Sequence, residues 1–398
     1  MHILICAVSS SRQPSGICRH AANLARSLAG RREVATVTLL VGEWQTQYFT
    51  EAFGLRNAKL RMVAVDVSHG AFARNAWYIR RLPSVARAYG PDVVHLSFPV
   101  PFNSHRFNCP VVTSLHDLYP YDMPGNFGLS RVMFNRMFLR QCLRSSTSVV
   151  CSSEFTLGRL RSFAPNIAST KAIRIYQSVE FGSIDSQKPA IPEMNGRPFL
   201  LSVAQHRRNK NLEMLLTGFA ELRRRGARWK GMALLIVGSK GPETARLERV
   251  VRQLSLQGRV VFQAGATDRE LSWLYANCEL FIAPSSIEGF GLPAVEALQC
   301  GARVVCSDIP AFREVAGNAA QYFDLQTTSP TKALADAAAV AFGKSAKQPE
   351  ALNRFSAESI AEQHVSLYSR LLATHKPCRD EPEILVVDRA DRYGRFTG

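Results

Sequence analysis

Short runs of Val, Ile and Leu alternate with helical stretches twice over along this chain, and that repetition limits the fold more than any other feature. In the first half the apolar runs fall at residues 2–8, 34–41, 61–65, 93–96, 110–115 and 148–151. The first run leads into a polar loop and Gly16. From Ile17 to Leu28, Ala21, Leu24, Ala25 and Leu28 then recur at helical spacing. Continuous apolar runs, rather than strict alternation, predict strands buried on both faces of a mostly parallel sheet. Residues 187–198 are polar and Pro-rich, as a linker would be. The pattern then restarts, with strands predicted at 199–203, 233–237, 260–263, 280–284 and 303–307. Helices are predicted between them at 212–225, 242–256, 268–277 and 293–300, and beyond them at 330–342 and 357–372.

The chain has 398 residues, enough for two sizeable cores. The expectation is an α/β protein with two doubly wound domains, residues 1–185 and 186–355, facing a cleft. A helix at 356–375 should pack back on the first domain, followed by a tail at 376–398 in which residues 384–387 could form a stray strand. Ligands of such sheets bind at the carboxyl ends of the strands, so the cleft is the natural site.

No apolar stretch reaches the roughly 18 residues needed to cross a bilayer. The first residues lack both a basic leader and a long apolar segment, which argues against a secretory signal and for a cytoplasmic chain. Nine scattered cysteines without a CxxC pair read as reduced thiols. The net charge of +17 is uneven: residues 1–180 hold 21 Lys/Arg against 9 Asp/Glu. Such a surface suits an anionic partner, and docking at the inner face of an acidic membrane is one expectation. The arginines are dispersed and lack the aromatic interleaving of a nucleic-acid module, so no nucleic acid is expected as a partner.

Three clusters carry chemistry. Residues 285–298, Ser-Ser-Ile-Glu-Gly-Phe-Gly-Leu-Pro-Ala-Val-Glu-Ala-Leu, follow a predicted strand and open a helix. They place Glu288 on the connecting loop and Glu296 in the opening turns. Gly289 and Gly291 would leave amides bare at the positive helix end, so acids for hydroxyls and amides for phosphate stand side by side. The second cluster, Gln205-His206-Arg207-Arg208-Asn209-Lys210-Asn211, sits at a strand's carboxyl end, where cations can neutralise a diphosphate. In the third, a first-domain strand ends in His116 and Asp117. His95, also at a strand end, reads as structural.

Together these clusters resemble the retaining glycosyltransferases of family four, glycosyl transferases group one, whose fold is GT-B, two Rossmann-like domains around a central cleft. The resemblance rests on Glu288 and Glu296 in Glu-Gly-Phe-Gly-Leu-Pro-Ala-Val-Glu, on Gly16, His116-Asp117 and Lys210-Asn211, and on residues 308–315. It implies that Glu288 holds hydroxyls of the transferred sugar and Glu296 the nucleotide's ribose. Amides around Gly289, Phe290, Gly291 and Leu292 would meet the sugar and diphosphate. Lys210 and an upstream arginine, Arg207 or Arg208, would stabilise the departing phosphate. His116 would touch the sugar, and Gly16 would let the first loop approach the diphosphate. Where many members carry an arginine ahead of the lysine, this chain has Gln205.

The implied activity is metal-independent transfer of a hexose or deoxyhexose, in the manner of a mannosyltransferase, from a nucleoside-diphosphate sugar to a glycan or lipid-linked acceptor. No cofactor is expected, and no Asp-x-Asp metal motif occurs. The rival reading is a noncatalytic sugar-nucleotide-binding protein or transferase partner. A dehydrogenase is disfavoured because Gly-x-Gly-x-x-Gly is absent after the first strand.

Overall fold

The computed structural model describes residues 1–10, 15–55, 57–68, 70–124, 129–182, 184–194, 196–345 and 352–375. Two parallel sheets organise it. The first holds β1 (His2–Cys6), β2 (Thr36–Gly42), β3 (Leu60–Val65), β4 (Val93–Leu96), β5 (Val111–Leu115), β6 (Ser148–Cys151) and β7 (Ala172–Arg174). Their order is β3-β2-β1-β4-β5-β6-β7. The second holds β8 (Phe199–Val203), β9 (Ala233–Val237), β10 (Val260–Gln263), β11 (Leu280–Ala283), β12 (Val304–Ser307) and β13 (Ala320–Phe323), in the order β10-β9-β8-β11-β12-β13. Strand order reverses between β1 and β4 and again between β8 and β11. At these points neighbouring loops diverge to opposite faces and leave a crevice.

The central strands are largely apolar because helices cover both faces. In β1, Ile3 and Ile5 join the core under the helix Gly16–Ala29, while Leu4 and Cys6 face the helices Ala71–Arg80 and Leu82–Tyr89. Two edge strands escape the sequence reading. β7 is three half-buried residues, and β13, Ala-Gln-Tyr-Phe, buries only its last side chain, so neither has a continuous apolar run. The crossover between the sheets also differs from the polar linker expected. It starts at Ile175 and buries Ile175, Tyr176, Val179, Phe181, Ile191 and Met194 in a core continuous with both domains.

The helix Ala357–Thr374 returns to the first domain and packs on the helix Gly16–Ala29. It brings Tyr368 to His95, whose Nδ1 lies 2.6 Å from the Tyr368 hydroxyl, while its Nε2 lies 2.8 Å from Ser114 Oγ. Ser114 also meets His20 Nε2 at 3.0 Å, and the His20 ring stands edge-on to His116 with centroids 4.5 Å apart. Burial pushes His20, His95 and His364 below the ordinary histidine range, so all three are neutral in the fold near pH 7. The eight described cysteines are unpaired thiols, and residues 376–398, with the tail and its possible strand, lie outside the described residues.

Candidate active site

Because every strand in each sheet runs the same way, the loops after β1, β5, β8 and β11 all emerge at carboxyl edges beside the switch points. The loop after β8 tightens into a single turn, Arg208–Lys210, and reverses at Asn211 with φ 53°. The loop after β11 is laced to it: the Ser286 amide donates to the Asn209 carbonyl at 2.9 Å. This lacing brings Lys210 Nζ within 2.6 Å of Glu288 Oε1, which also accepts from Ser285 Oγ at 2.6 Å. Both side chains are partly exposed, Lys210 at 21% and Glu288 at 14%. A cation and a carboxylate assigned separate tasks from the sequence thus neutralise each other here, and an incoming phosphate would compete with Glu288 for the ammonium.

Arg207 and Arg208 are exposed, and neither forms an ion pair with a described residue. Gly16 opens the first helix of the chain, is exposed, and has open space where a Cβ would stand.

His116 follows β5. Its Nε2 lies 2.7 Å from the Ser97 carbonyl, which can only accept, so that nitrogen carries the proton. Nδ1 then faces Gln177 Nε2 at 3.4 Å as acceptor, and burial lowers the histidine's pKa. Beside it, protein crowding raises the pKa of the Asp117 carboxyl, His116 opposes the rise, the Glu288 charge adds to it and Lys210 opposes it again. Asp117 nevertheless keeps a solvent-reachable edge at the cleft rim.

The glycines of the signature act differently from one another. A Cβ on Gly289 would stand 1.7 Å from the His116 carbonyl oxygen, so the second domain's loop lies directly on the first domain's backbone. Gly289's own carbonyl accepts from Ser153 Oγ at 2.5 Å and Thr156 Oγ1 at 3.2 Å. Gly291 has φ 96°, and a Cβ there would meet the Phe312 ring at 2.8 Å. Phe290 is buried between Tyr176 and Phe355, and Leu292, nearly buried, begins the helix Leu292–Gln299. The amides of 289–292 donate to no acceptor among the described residues, so at this helix start they keep their hydrogen-bonding capacity.

Glu296 sits apart from Glu288. It is 2% exposed, and its Oε2 accepts from the Tyr275 hydroxyl at 2.8 Å. Oε1 lies 3.6 Å from Arg19 Nε, without a hydrogen bond, while Arg19 Nη1 holds Asp268 at 2.6 Å. Burial raises the Glu296 pKa, and Arg19 and Tyr275 oppose that rise. Arg19 was missed in the sequence. Its signal was a cation near the start of a helix, where the dipole disfavours it unless a partner waits. Further contacts join the halves: Glu314 accepts from the amides of Glu154 and Phe155 at 2.6 and 3.1 Å, and the Tyr119 hydroxyl meets Asn209 Oδ1 at 3.3 Å.

Comparison with known proteins places this geometry. Residues 183–358 match the family model described as glycosyl transferases group 1, and residues 14–180 match glycosyltransferase family 4. An O-antigen chain mannosyltransferase B of Escherichia coli is 26% identical over 329 residues, covering 77% of this chain and 82% of that protein. A serotype-specific mannosyltransferase WbdA of the same species is 34% identical over 167 residues, 38% of this chain, and the match spans only 20% of that longer protein. Among solved structures, sucrose-phosphate synthase from Thermosynechococcus elongatus superposes with a TM-score of 0.69 at 19% identity, covering 94% of this chain and 100% of that one. The two sheets, their facing loops and these matches agree: the chain belongs to the group 1 glycosyl transferases, with a family 4 amino-terminal domain, and is a GT-B glycosyltransferase.

Proposed function

We propose that the chain transfers a hexose, mannose first among candidates, from a nucleoside-diphosphate sugar to a glycan or lipid-linked acceptor, with retention and without a divalent metal. The observation that carries the reading is the Lys210–Glu288 pair at 2.6 Å, with Glu288 on the same loop as the amides of 289–292, which donate to no acceptor among the described residues. Cleaving the anomeric bond builds negative charge on the leaving diphosphate, and a fixed ammonium with bare amides lowers that barrier. Glu288, freed from Lys210 as phosphate arrives, is then available to sugar hydroxyls. The mannosyltransferase names of the relatives support the choice of sugar and point toward O-antigen-type polysaccharide assembly.

A thermal-shift screen with UDP-, GDP-, ADP- and dTDP-sugars identifies the donor, and transfer or hydrolysis of that donor with EDTA present measures turnover. Lys210→Ala and Glu288→Gln should each lower turnover about a hundredfold or more, equivalent to roughly 2.7 kcal/mol of barrier. Donor binding without any turnover would instead make the protein a sugar-nucleotide binder, and full activity in both variants would refute the assignment of the site.

A further inference from the structure

One helix of the first domain, Glu154–Phe163, begins where loops from both domains converge. Its cap residue Ser153 donates its only hydroxyl proton to the Gly289 carbonyl at 2.5 Å and accepts from the Thr156 amide at 3.0 Å. With Gly289 served, the Thr156 hydroxyl can donate to the His116 carbonyl at 3.1 Å, and Ser152 Oγ donates to the same carbonyl at 3.1 Å. A single helix start therefore grips the backbone of the loop that carries His116 and of the loop that carries Glu288.

That helix start is itself held from the other domain. Glu314, on the short helix Pro310–Ala316, accepts from the Glu154 amide at 2.6 Å and from the Phe155 amide at 3.1 Å. These are two of the donors that the first turn of a helix leaves open. Among the described residues Glu314 has no ion-pair partner, so its charge is met by these amides at the positive helix end, and such charge-assisted bonds are the strong ones. Behind it, Arg354 Nη2 donates to the Glu314 carbonyl at 2.5 Å and fixes the backbone that presents the carboxylate.

We propose that Glu314 is a positioning residue for transfer: by capping this helix from the second domain it sets the register between the Glu288 loop and His116. Without the carboxylate, the Glu154 and Phe155 amides turn to water and the helix start can shift against the second domain. The Gly289 and His116 carbonyls, both bonded to that start, then lose their common support. A misplacement of about 1 Å at a reacting centre can cost about a hundredfold in rate. Lys210 and Glu288 both belong to the second domain, so donor affinity is spared.

This role rests on the transfer reading above, and the test keeps the two apart. Steady-state transfer by the full chain is measured well below its melting temperature, with donor binding followed separately by calorimetry. Glu314→Ala should lower kcat about tenfold or more and change the donor Kd by less than about twofold. Glu314→Gln keeps one acceptor oxygen at nearly the same volume and should recover part of the loss. Ser153→Ala, which removes the hydroxyl on Gly289, should also lower kcat. The double variant Glu314→Ala/Ser153→Ala should lose less than the product of the two single losses, because both act through one helix start. A cap that served stability alone would lower the melting temperature and leave kcat of the folded enzyme unchanged. Parental kcat in Glu314→Ala, multiplicative losses in the double variant, or a donor Kd that weakens as steeply as kcat falls would each overturn the proposal. If the parent binds donor and never turns over, the transfer reading fails, and small-angle scattering still decides the contact. Glu314→Ala should then show a larger radius of gyration than the parent, and an unchanged radius would refute the role given to Glu314.

Discussion

Replacing Arg19 with Met tests whether the cation joining the two domains holds Glu296 in its charged form. Methionine keeps much of the aliphatic stem and removes the guanidinium. Glu296 would retain only the Tyr275 hydroxyl on Oε2, and Oε1, already without a hydrogen bond, would lose its nearest positive charge at 3.6 Å. Breaking a buried pair by deleting one partner costs about 3–5 kcal/mol. Asp268 is 13% exposed and can rehydrate, which favours the lower end, about 3 kcal/mol. With an unfolding entropy of roughly 2.1 cal/mol/K per residue over 398 residues, the melting temperature should fall by about 4 °C.

The loss should also depend on pH in one direction. Glu296 has a folded pKa above its ordinary value, so above that value the folded state binds more protons than the unfolded one, and stability falls as pH rises through this range. Without Arg19 the pKa rises further. The gap between variant and parent should therefore be small near pH 4 and widen toward pH 8, by about 1.4 kcal/mol for every pH unit that the carboxyl's pKa climbs. Scanning calorimetry across that range reads the effect, and adding Glu296→Gln to the Arg19→Met background should restore most of it. An equal loss at both ends of the range, or no recovery in the double variant, would show that Arg19 acts by packing rather than by charge.

Gly289→Ala should abolish transfer and lower the melting temperature, because its methyl cannot coexist with the His116 carbonyl unless the domains separate; unchanged activity would disprove the close approach. Gly291→Ala combines a left-handed φ with a collision at Phe312 and should destabilise by about 1–3 kcal/mol in chemical denaturation. His364, fully buried, titrates at about 4 in the fold against 6.5 when exposed. Its contribution is complete above pH 6.5 and is lost as pH falls toward 4, about 3 kcal/mol in all. Acid melts of His364→Phe should be flatter over that window than those of the parent.

What the sequence disclosed depended on how local each feature is. Continuous apolar strands and the loop-helix junctions at Gly16, Lys210 and Glu288 are encoded within a few neighbouring residues, and the two sheets could be read from them. Pairing across the chain could not. Glu288 is 78 positions from the lysine it contacts, and Arg19 is 249 positions from Asp268. Gly289 illustrates the limit: its glycine reads naturally as a bare amide for phosphate, yet the nearest reason for it is a carbonyl from the other domain, invisible until the domains are placed. β13 and β7 were lost because edge strands need only one dry face.

The helix Ala357–Thr374 gives the order of synthesis a physical meaning. Ile360, Ala361, His364 and Tyr368 close the core over the helix Gly16–Ala29. A nascent chain paused after the second sheet would therefore hold a first sheet with one flank still wet. Its oldest strands would wait more than 300 residues, until the helix Ala357–Thr374 was made, before they were sealed.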